Sequence, residues 1–452
     1  MDTRERTLLI VGGGFAGTTA ARALERGLPA GWRVVLVSEE SYTTFNPMLA
    51  EVVGASVFPE HVVAPIRPML SPASRFVMGR VAEVDLGGRR IVAETLAGRQ
   101  AIRFDHLVLA FGTRANLALV PGLADHALPL KLVGDALHIR NRVLQRLARI
   151  ELEADPALRR RLGHFVVIGG GFSGVEVAGG IADFVAGARR YYRRVRDDEL
   201  RVTLLQDAER LLPELPASLG AAAARSLAGR GIAVRLGARA ASVDADGVAL
   251  DGGERLESAT VVCTIGTKPN PLVERLGVAL QRGRIVTESD LSLPGRPDVW
   301  AIGDCALVRN HAGDLHRPAE AGPAAPVTYA PPTAQFAVAQ AHRLAANVLA
   351  RIAARPTERF AHVSRGAMAT TGHLKGVAQV GAIRLAGLPA WLLWRAYYLL
   401  RMPTLGRKVR IWVEWTWGMC FPADVTHLRF TRTEEADAPA RPAPASLTRI
   451  QL

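Results

Sequence analysis

The chain has 452 residues, 49% of them apolar and 22% charged, and a formal net charge of +14. That length accommodates two to three domains with sizeable cores. Three widely spaced cysteines, Cys263, Cys305 and Cys420, form neither a CxxC motif nor a disulfide framework, and no ligand cluster accompanies them, so no metal is expected. The positive charge is not read as a nucleic-acid footprint. Only four basic residues are lysines (Lys131, Lys268, Lys375, Lys408), and no basic stripe interleaved with aromatics is present. The N-terminus enters a strand without a charged-then-apolar leader, so a cytoplasmic-side protein is expected.

The first predicted strand, Leu8 to Val11, is a continuous apolar run, as expected of a strand covered on both faces. It feeds the loop Gly12-Gly13-Gly14-Phe15-Ala16-Gly17 and an alanine-rich helix from Thr18 to Arg26. In this GxGxxG pattern the first glycine permits the turn and the second admits a pyrophosphate to the backbone. The third lets the helix pack on the sheet with its positive end toward the anion. The next strand, Arg33 to Val37, ends in Ser38-Glu39. Ser38 holds the usual acidic position, and Glu39 is the expected ribose partner.

Phe104 to Thr113, ending at Gly112-Thr113, returns from this nucleotide unit. The pattern then repeats: Phe165 to Ile168 is a second buried strand, followed by Gly169-Gly170-Gly171-Phe172-Ser173-Gly174 and a helix from Val175. The following strand, Val202 to Leu205, comes after a charged insert, Arg189 to Glu199, and ends in Gln206-Asp207. A neutral Gln206 would not repel a 2′-phosphate, so NADPH is admitted beside NADH, with Asp207 able to restore discrimination. Glu176 lies two residues past the last glycine, where a helix N-terminus would stabilise its charge. Thr260 to Asn270, with Gly266, is the second return strand. Val299 to Cys305 ends at Gly303-Asp304, where the carboxylate can accept from a ribityl hydroxyl. Two dinucleotides on one chain imply hydride transfer from a nicotinamide to a bound flavin.

These residues, together with Asn46-Pro47-Met48-Leu49, Glu51-Val52, Gly174-Val175-Glu176 and Pro331-Pro332-Thr333-Ala334-Gln335, resemble the type II NADH dehydrogenases. Those are non-electrogenic NADH:quinone oxidoreductases of the two-dinucleotide-binding-domain flavoprotein superfamily. The resemblance runs from about residue 6 to residue 430. It implies FAD, NAD(P)H and a membrane quinone, with electrons passing from NAD(P)H through FAD to the quinone without proton pumping. It also implies a quinone-site helix beginning at Ala334 and carrying Gln335, with Gln340 standing one residue beyond the usual second glutamine, and a role for Glu176 near the nicotinamide and the quinone. Asn46 and Pro47 are expected beside the flavin.

Five of the seven tryptophans, Trp391, Trp394, Trp412, Trp415 and Trp417, fall in one stretch, joined by Tyr397 and Tyr398. No acidic residue occurs between Glu358 and Glu414, while arginines and lysines recur throughout. The pattern reads as a monotopic anchor on anionic headgroups, too short to span a bilayer, and as a homodimer contact. The protein is thus expected to be peripheral on the cytoplasmic face of the inner membrane.

The expected fold is α/β: two Rossmann-like dinucleotide-binding domains, the second inserted in the first, plus a C-terminal membrane-anchoring region. Residues 1–132 and 285–345 form the FAD domain, the latter with the quinone-site helix, and 133–284 form the NAD(P)H domain. Residues 346–430 form the anchor and dimerisation region and 431–452 a disordered tail; His311 to Ala330 is a surface loop. A sulfide:quinone reductase or a disulfide reductase would need paired cysteines, which are missing. The alternatives are a sulfide:quinone reductase-like or other FAD-dependent pyridine-nucleotide reductase, or a redox-sensing FAD/NADH module with little turnover.

Overall fold

A computed structural model describes residues 5–312 and 328–428, so the expected tail and most of the loop before the quinone-site helix lie outside the described residues. Along the chain, β1 (Arg6–Val11) leads into α1 (Phe15–Glu25) and β2 (Trp32–Ser38). Then follow α2 (Leu49–Val53), β3 (His106–Leu109), α3 (Val133–Leu152), β4 (His164–Ile168), α4 (Phe172–Ala188) and β5 (Arg201–Leu205). They are succeeded by β6 (Thr260–Cys263), β7 (Arg296–Ala301), α5 (Ala334–Ile352), α6 (Leu388–Arg401) and α7 (Leu405–Cys420).

Two compact units result. In the first, β7, β3, β1 and β2 run parallel, with Leu8 opposite both Val34 and His106. The sheet continues through Arg75–Asp85 into an antiparallel meander with Arg90–Thr95 and Gly98–Arg103. Leu8, Leu9, Ile10, Leu107, Val108 and Leu109 are fully buried, which is why these strands read as unbroken apolar runs. In the second unit, Ala127–Pro129, β6, β4, β5 and Ile232–Arg235 form a five-stranded parallel sheet. A separate antiparallel sheet, Gly366–Thr370, Gly376–Val380 and Ile383–Gly387, delivers the chain into α6.

The division falls elsewhere than expected from motif order. The first unit comprises 1–44, 63–115 and 267–365, and the second 45–62, 116–266 and 366–452. Pairing explains two shifts. Ala127–Pro129 lies on β6 and so belongs to the second sheet, while Thr267–Pro269 pairs with Thr113–Ala115 in the first unit. Asn46, Pro47 and α2 group with the second unit too.

The tryptophan cluster also differs from a uniform interfacial belt. Trp391, Trp394 and Trp415 are buried, whereas Trp412 and Trp417 are exposed. Trp391, Trp394 and Tyr398 recur at i, i+3 and i+7, as do Ile411 and Trp415 at i and i+4, so each helix turns one aromatic face inward.

Candidate active site

Both glycine loops are built alike. Gly12 has φ +116 and its N–H donates to the Val37 carbonyl at 2.8 Å; Gly169 has φ +112 and donates to Leu205 at 2.8 Å. In each, the residue ending or following the second strand turns inward over the middle glycine. Ser38 lies against Gly13, while Gln206 Oε1 accepts the Gly170 N–H at 2.7 Å. The residue after it is exposed: Glu39, 3.2 Å from Arg114, and Asp207. Gln206 is therefore engaged in holding its own loop, and Asp207 is the second-loop counterpart of Glu39. An exposed carboxylate at that place repels a 2′-phosphate, so Asp207 stands where it could supply the discrimination that Gln206 does not. Asp207→Asn is expected to narrow the NADH-over-NADPH ratio of kcat/KM by about tenfold or more, the worth of one charge-assisted hydrogen bond. Steady-state kinetics with both nucleotides measure it, and an unchanged ratio would remove Asp207 from nucleotide selection.

At Gly14 and at Gly171 an added Cβ would meet nothing within 4 Å, so the backbone is bare on the side from which a pyrophosphate would approach. Phe15, Ala16 and Gly17 open α1, and Phe172, Ser173 and Gly174 open α4, giving each loop a helix N-terminus aimed at the anion. The residues present thus fit FAD at the first loop and NADH at the second. Gly112 (φ +61) with Thr113, and Gly266 (φ +71), turn the chain after β3 and β6. Gly303 and half-buried Asp304 follow β7.

The two glutamines have different surroundings. Thr333 caps α5, accepting the Phe336 N–H, so Ala334 is the first helical residue. Gln335, half-buried, accepts from the Ser364 hydroxyl at 3.3 Å. Gln340 is buried and its Oε1 accepts the Gly303 N–H at 2.7 Å. Its amide oxygen fixes the turn that presents Asp304.

Glu176 lies in the second turn of α4 and is buried. Its Oε1 accepts the Thr370 N–H at 3.1 Å and the Trp394 indole N–H at 3.0 Å. Burial pushes its pKa up to about 8, and the negative charge of Glu51 adds to the rise. The helix terminus was expected to favour the charged form. The macrodipole fades beyond the first turn, and desolvation prevails over it here. Glu176 opens on a pocket lined also by Asn46, Leu49, Ala50, Lys131 and Ser173. The raised pKa favours the protonated form, which can donate a proton.

Sequence reasoning missed what surrounds Glu176. Trp394 and Trp415 were read as headgroup-facing, although their helical spacing marks an inward face. Arg395 lies over the rings of Trp391 and Trp415, 3.8 and 4.7 Å from their centroids, and burial lowers its pKa to about 10. The Tyr398 phenol is pushed above its ordinary value by burial and by the nearby Glu176. Cys263 and Cys305 are buried, their thiols donating to backbone carbonyls at Ile265, Leu109 and Ile302, and burial pushes Cys305 up to about 12. Neither has the form of a redox thiolate.

A family model described as pyridine nucleotide-disulphide oxidoreductase matches residues 6–341. The type II NADH:quinone oxidoreductase Ndh of Mycobacterium tuberculosis is 30% identical, over 91% of this chain and 88% of the relative. Its NdhA counterpart in the same organism is 31% identical, over 92% and 87%. The chain belongs to the type II NADH:quinone oxidoreductase family. Among solved structures, that of NDH2 from Plasmodium falciparum in complex with NADH has a TM-score of 0.85 at 18% identity, covering 94% of this chain and all of the other. The likeness of fold thus reaches through the C-terminal sheet and into the helices that hold Glu176, beyond the span of the family model. Within the pyridine nucleotide-disulphide group, this type II member keeps the two nucleotide loops without a cysteine pair.

Proposed function

We propose that the protein is an FAD-dependent NADH:quinone oxidoreductase that passes two electrons from NADH to a membrane quinone without pumping protons. One observation carries the quinone-side chemistry: a buried carboxyl, Glu176, opening on a pocket of the nucleotide unit, its pKa raised by burial. Bound FAD supplies two-electron acceptance from a nicotinamide and donation to a quinone. The chain's residues do the rest. The backbone at Gly14 and Gly171 receives the two pyrophosphates, and Glu39 and Asp207 take the two riboses. Asp304 holds the flavin's ribityl chain, with Gln340 fixing its turn. Ser38, Phe15, Ala16, Gly112 and Thr113 surround the FAD loop; Phe172, Ser173 and Gly266 surround the NADH loop. Gln335 and Glu176 serve the quinone, Glu176 holding the proton at Oε2 while Thr370 and Trp394 fix Oε1. The test is direct: purified protein is yellow, NADH bleaches it, and added quinone restores the colour. Bleaching by sulfide but not by NADH would defeat the reading, and bleaching without reoxidation would favour a sensing module.

The protein attaches peripherally, in this reading on the cytoplasmic face of the inner membrane, and pairs as a homodimer through the same C-terminal region. Among the described residues no helix is long and apolar enough to cross a membrane. On α7, Leu405, Val409, Trp412 and Val413 form an exposed apolar stripe at i, i+4, i+7 and i+8, with Lys408 and Arg410 beside it. Deleting everything after residue 385 is an unclean test, since it removes Trp394 from Glu176. Lys408→Gln with Arg410→Gln is cleaner. At about 1 kcal/mol per basic residue, the pair should weaken binding to anionic vesicles roughly thirtyfold and leave neutral vesicles unaffected. Sedimentation with both vesicle types decides, and equal binding to anionic vesicles by the variant would refute the electrostatic anchor.

A further inference from the structure

Glu51 lies on α2, whose Leu49 and Ala50 line the same pocket as Glu176. The segments approach closely where α2 ends: a Cβ on Gly54 would stand 3.3 Å from the Cα of Gly180 on α4. The two carboxylates are mounted alike. Glu176 commits Oε1 to two fixed donors, the Thr370 N–H and the Trp394 indole. Glu51 commits Oε2 to the Ser56 hydroxyl and to the Trp415 indole, the latter at 3.3 Å. The two indole rings are 6.1 Å apart, so one aromatic pair pins both side chains. Among the described residues, Glu176 Oε2 and Glu51 Oε1 accept no hydrogen bond. Each carboxylate therefore has one oxygen held rigidly and one left for a mobile proton.

Reduction of a quinone by NADH consumes one proton besides the hydride: NADH, H⁺ and quinone give NAD⁺ and quinol. We propose that this proton enters through Glu51, which reloads Glu176 after each turnover. The Glu176 Oε2–H bond breaks as the quinol O–H bond forms. The Glu51 Oε1–H bond then breaks as Oε2–H reforms on Glu176, and Glu51 regains its proton from water; the electrons come from NADH throughout. The charged and titratable groups facing this pair are Arg395 and Tyr398 on α6, Lys131 in the pocket wall, Asp183 on α4 with its partner Arg230, His373, and Glu414 on α7 with its partner His61. Arg395, between two indoles, offsets the pair's negative charge without hydrogen-bonding to either carboxylate. The step rests on Glu176 as the quinone's proton donor.

The experiment compares Glu51→Gln, Glu51→Asp and Glu176→Gln holoenzymes by stopped flow. Flavin bleaching by NADH is followed separately from reoxidation by a short-chain ubiquinone. In Glu51→Gln, bleaching is expected to keep its rate while reoxidation turnover falls about a hundredfold in kcat, with a larger solvent isotope effect and little change in KM. Added acetate restores it, and Glu51→Asp keeps most of the activity. Quinone-induced infrared difference spectra should show the protonated-carboxyl band of Glu176 bleached and failing to recover in Glu51→Gln. Reoxidation at the unaltered rate, or a loss that acetate and Glu51→Asp fail to relieve, overturns the relay. If Glu176→Gln also turns over normally, the reading of Glu176 falls with it; if only Glu51→Gln does, that reading stands.

Discussion

Glu176→Gln should slow quinol formation about a hundredfold, the low end of what a positioned proton donor contributes. The same change should flatten the pH dependence of stability. Gln keeps an Oε1 able to accept from Thr370 and Trp394, so the packing survives. What changes is titration. The carboxyl rises from an ordinary 4.5 to about 8 on burial. Between those values the native state holds a proton that the unfolded chain has lost, so native stability falls as pH rises through that window. The loss is on the order of a few kcal/mol by the upper end. Below 4.5 both states are protonated and Glu176 carries no penalty. The melting temperature of Glu176→Gln relative to the unaltered protein should therefore be lowest near pH 4.5 and highest above pH 8. Melting curves at pH 5 and pH 9 measure it, and a parallel offset at both would mean that Glu176 does not ionise in that range.

The second large effect separates two glycines three residues apart. A Cβ on Gly174 would run into the Gly169 carbonyl and come within 2.8 Å of the Thr264 hydroxyl, all of it surrounded by β4, β6 and α4. Backbone cannot yield as a flexible side chain would. Gly174→Ala should destabilise the second unit by about 1–3 kcal/mol, as overpacking does, and abolish NADH binding. Gly171 has open space where a Cβ would stand. Gly171→Ala should leave the melting temperature unaltered and still raise KM for NADH about tenfold or more, because the methyl blocks the approach of the pyrophosphate and leaves its charge-assisted hydrogen bonds unmade. Calorimetry alongside NADH titration separates the two. Equal destabilisation by both would show that Gly171 is a packing glycine.

The twin loops were legible because their requirements are local. A buried parallel strand must be apolar on both faces, and a glycine must stand wherever the backbone meets an anion or another backbone. For the same reason Leu8 to Val11 and Phe165 to Ile168 could be placed. The hydrogen bond of Gln206 was not legible because its direction is not local: whether it faces outward or toward the Gly170 N–H depends on how β5 ends beside the loop. The bond from the Gly303 N–H to Gln340 was likewise hidden, because it joins segments 37 residues apart in the chain.

The amino-acid order by itself determined the class of the protein: two dinucleotide loops, two return strands, a Gly-Asp turn and a basic, aromatic C-terminus, each set by short-range backbone and hydrophobic rules. Tertiary structure alone decided which groups touch. It turned Trp394 and Trp415 inward onto Glu176 and Glu51, across some 200 and more residues of chain, and buried Glu176 deeply enough to raise its pKa. Burial and hydrogen bonding between distant segments are properties of packing, and a carboxylate's proton affinity follows from them rather than from its neighbours in sequence.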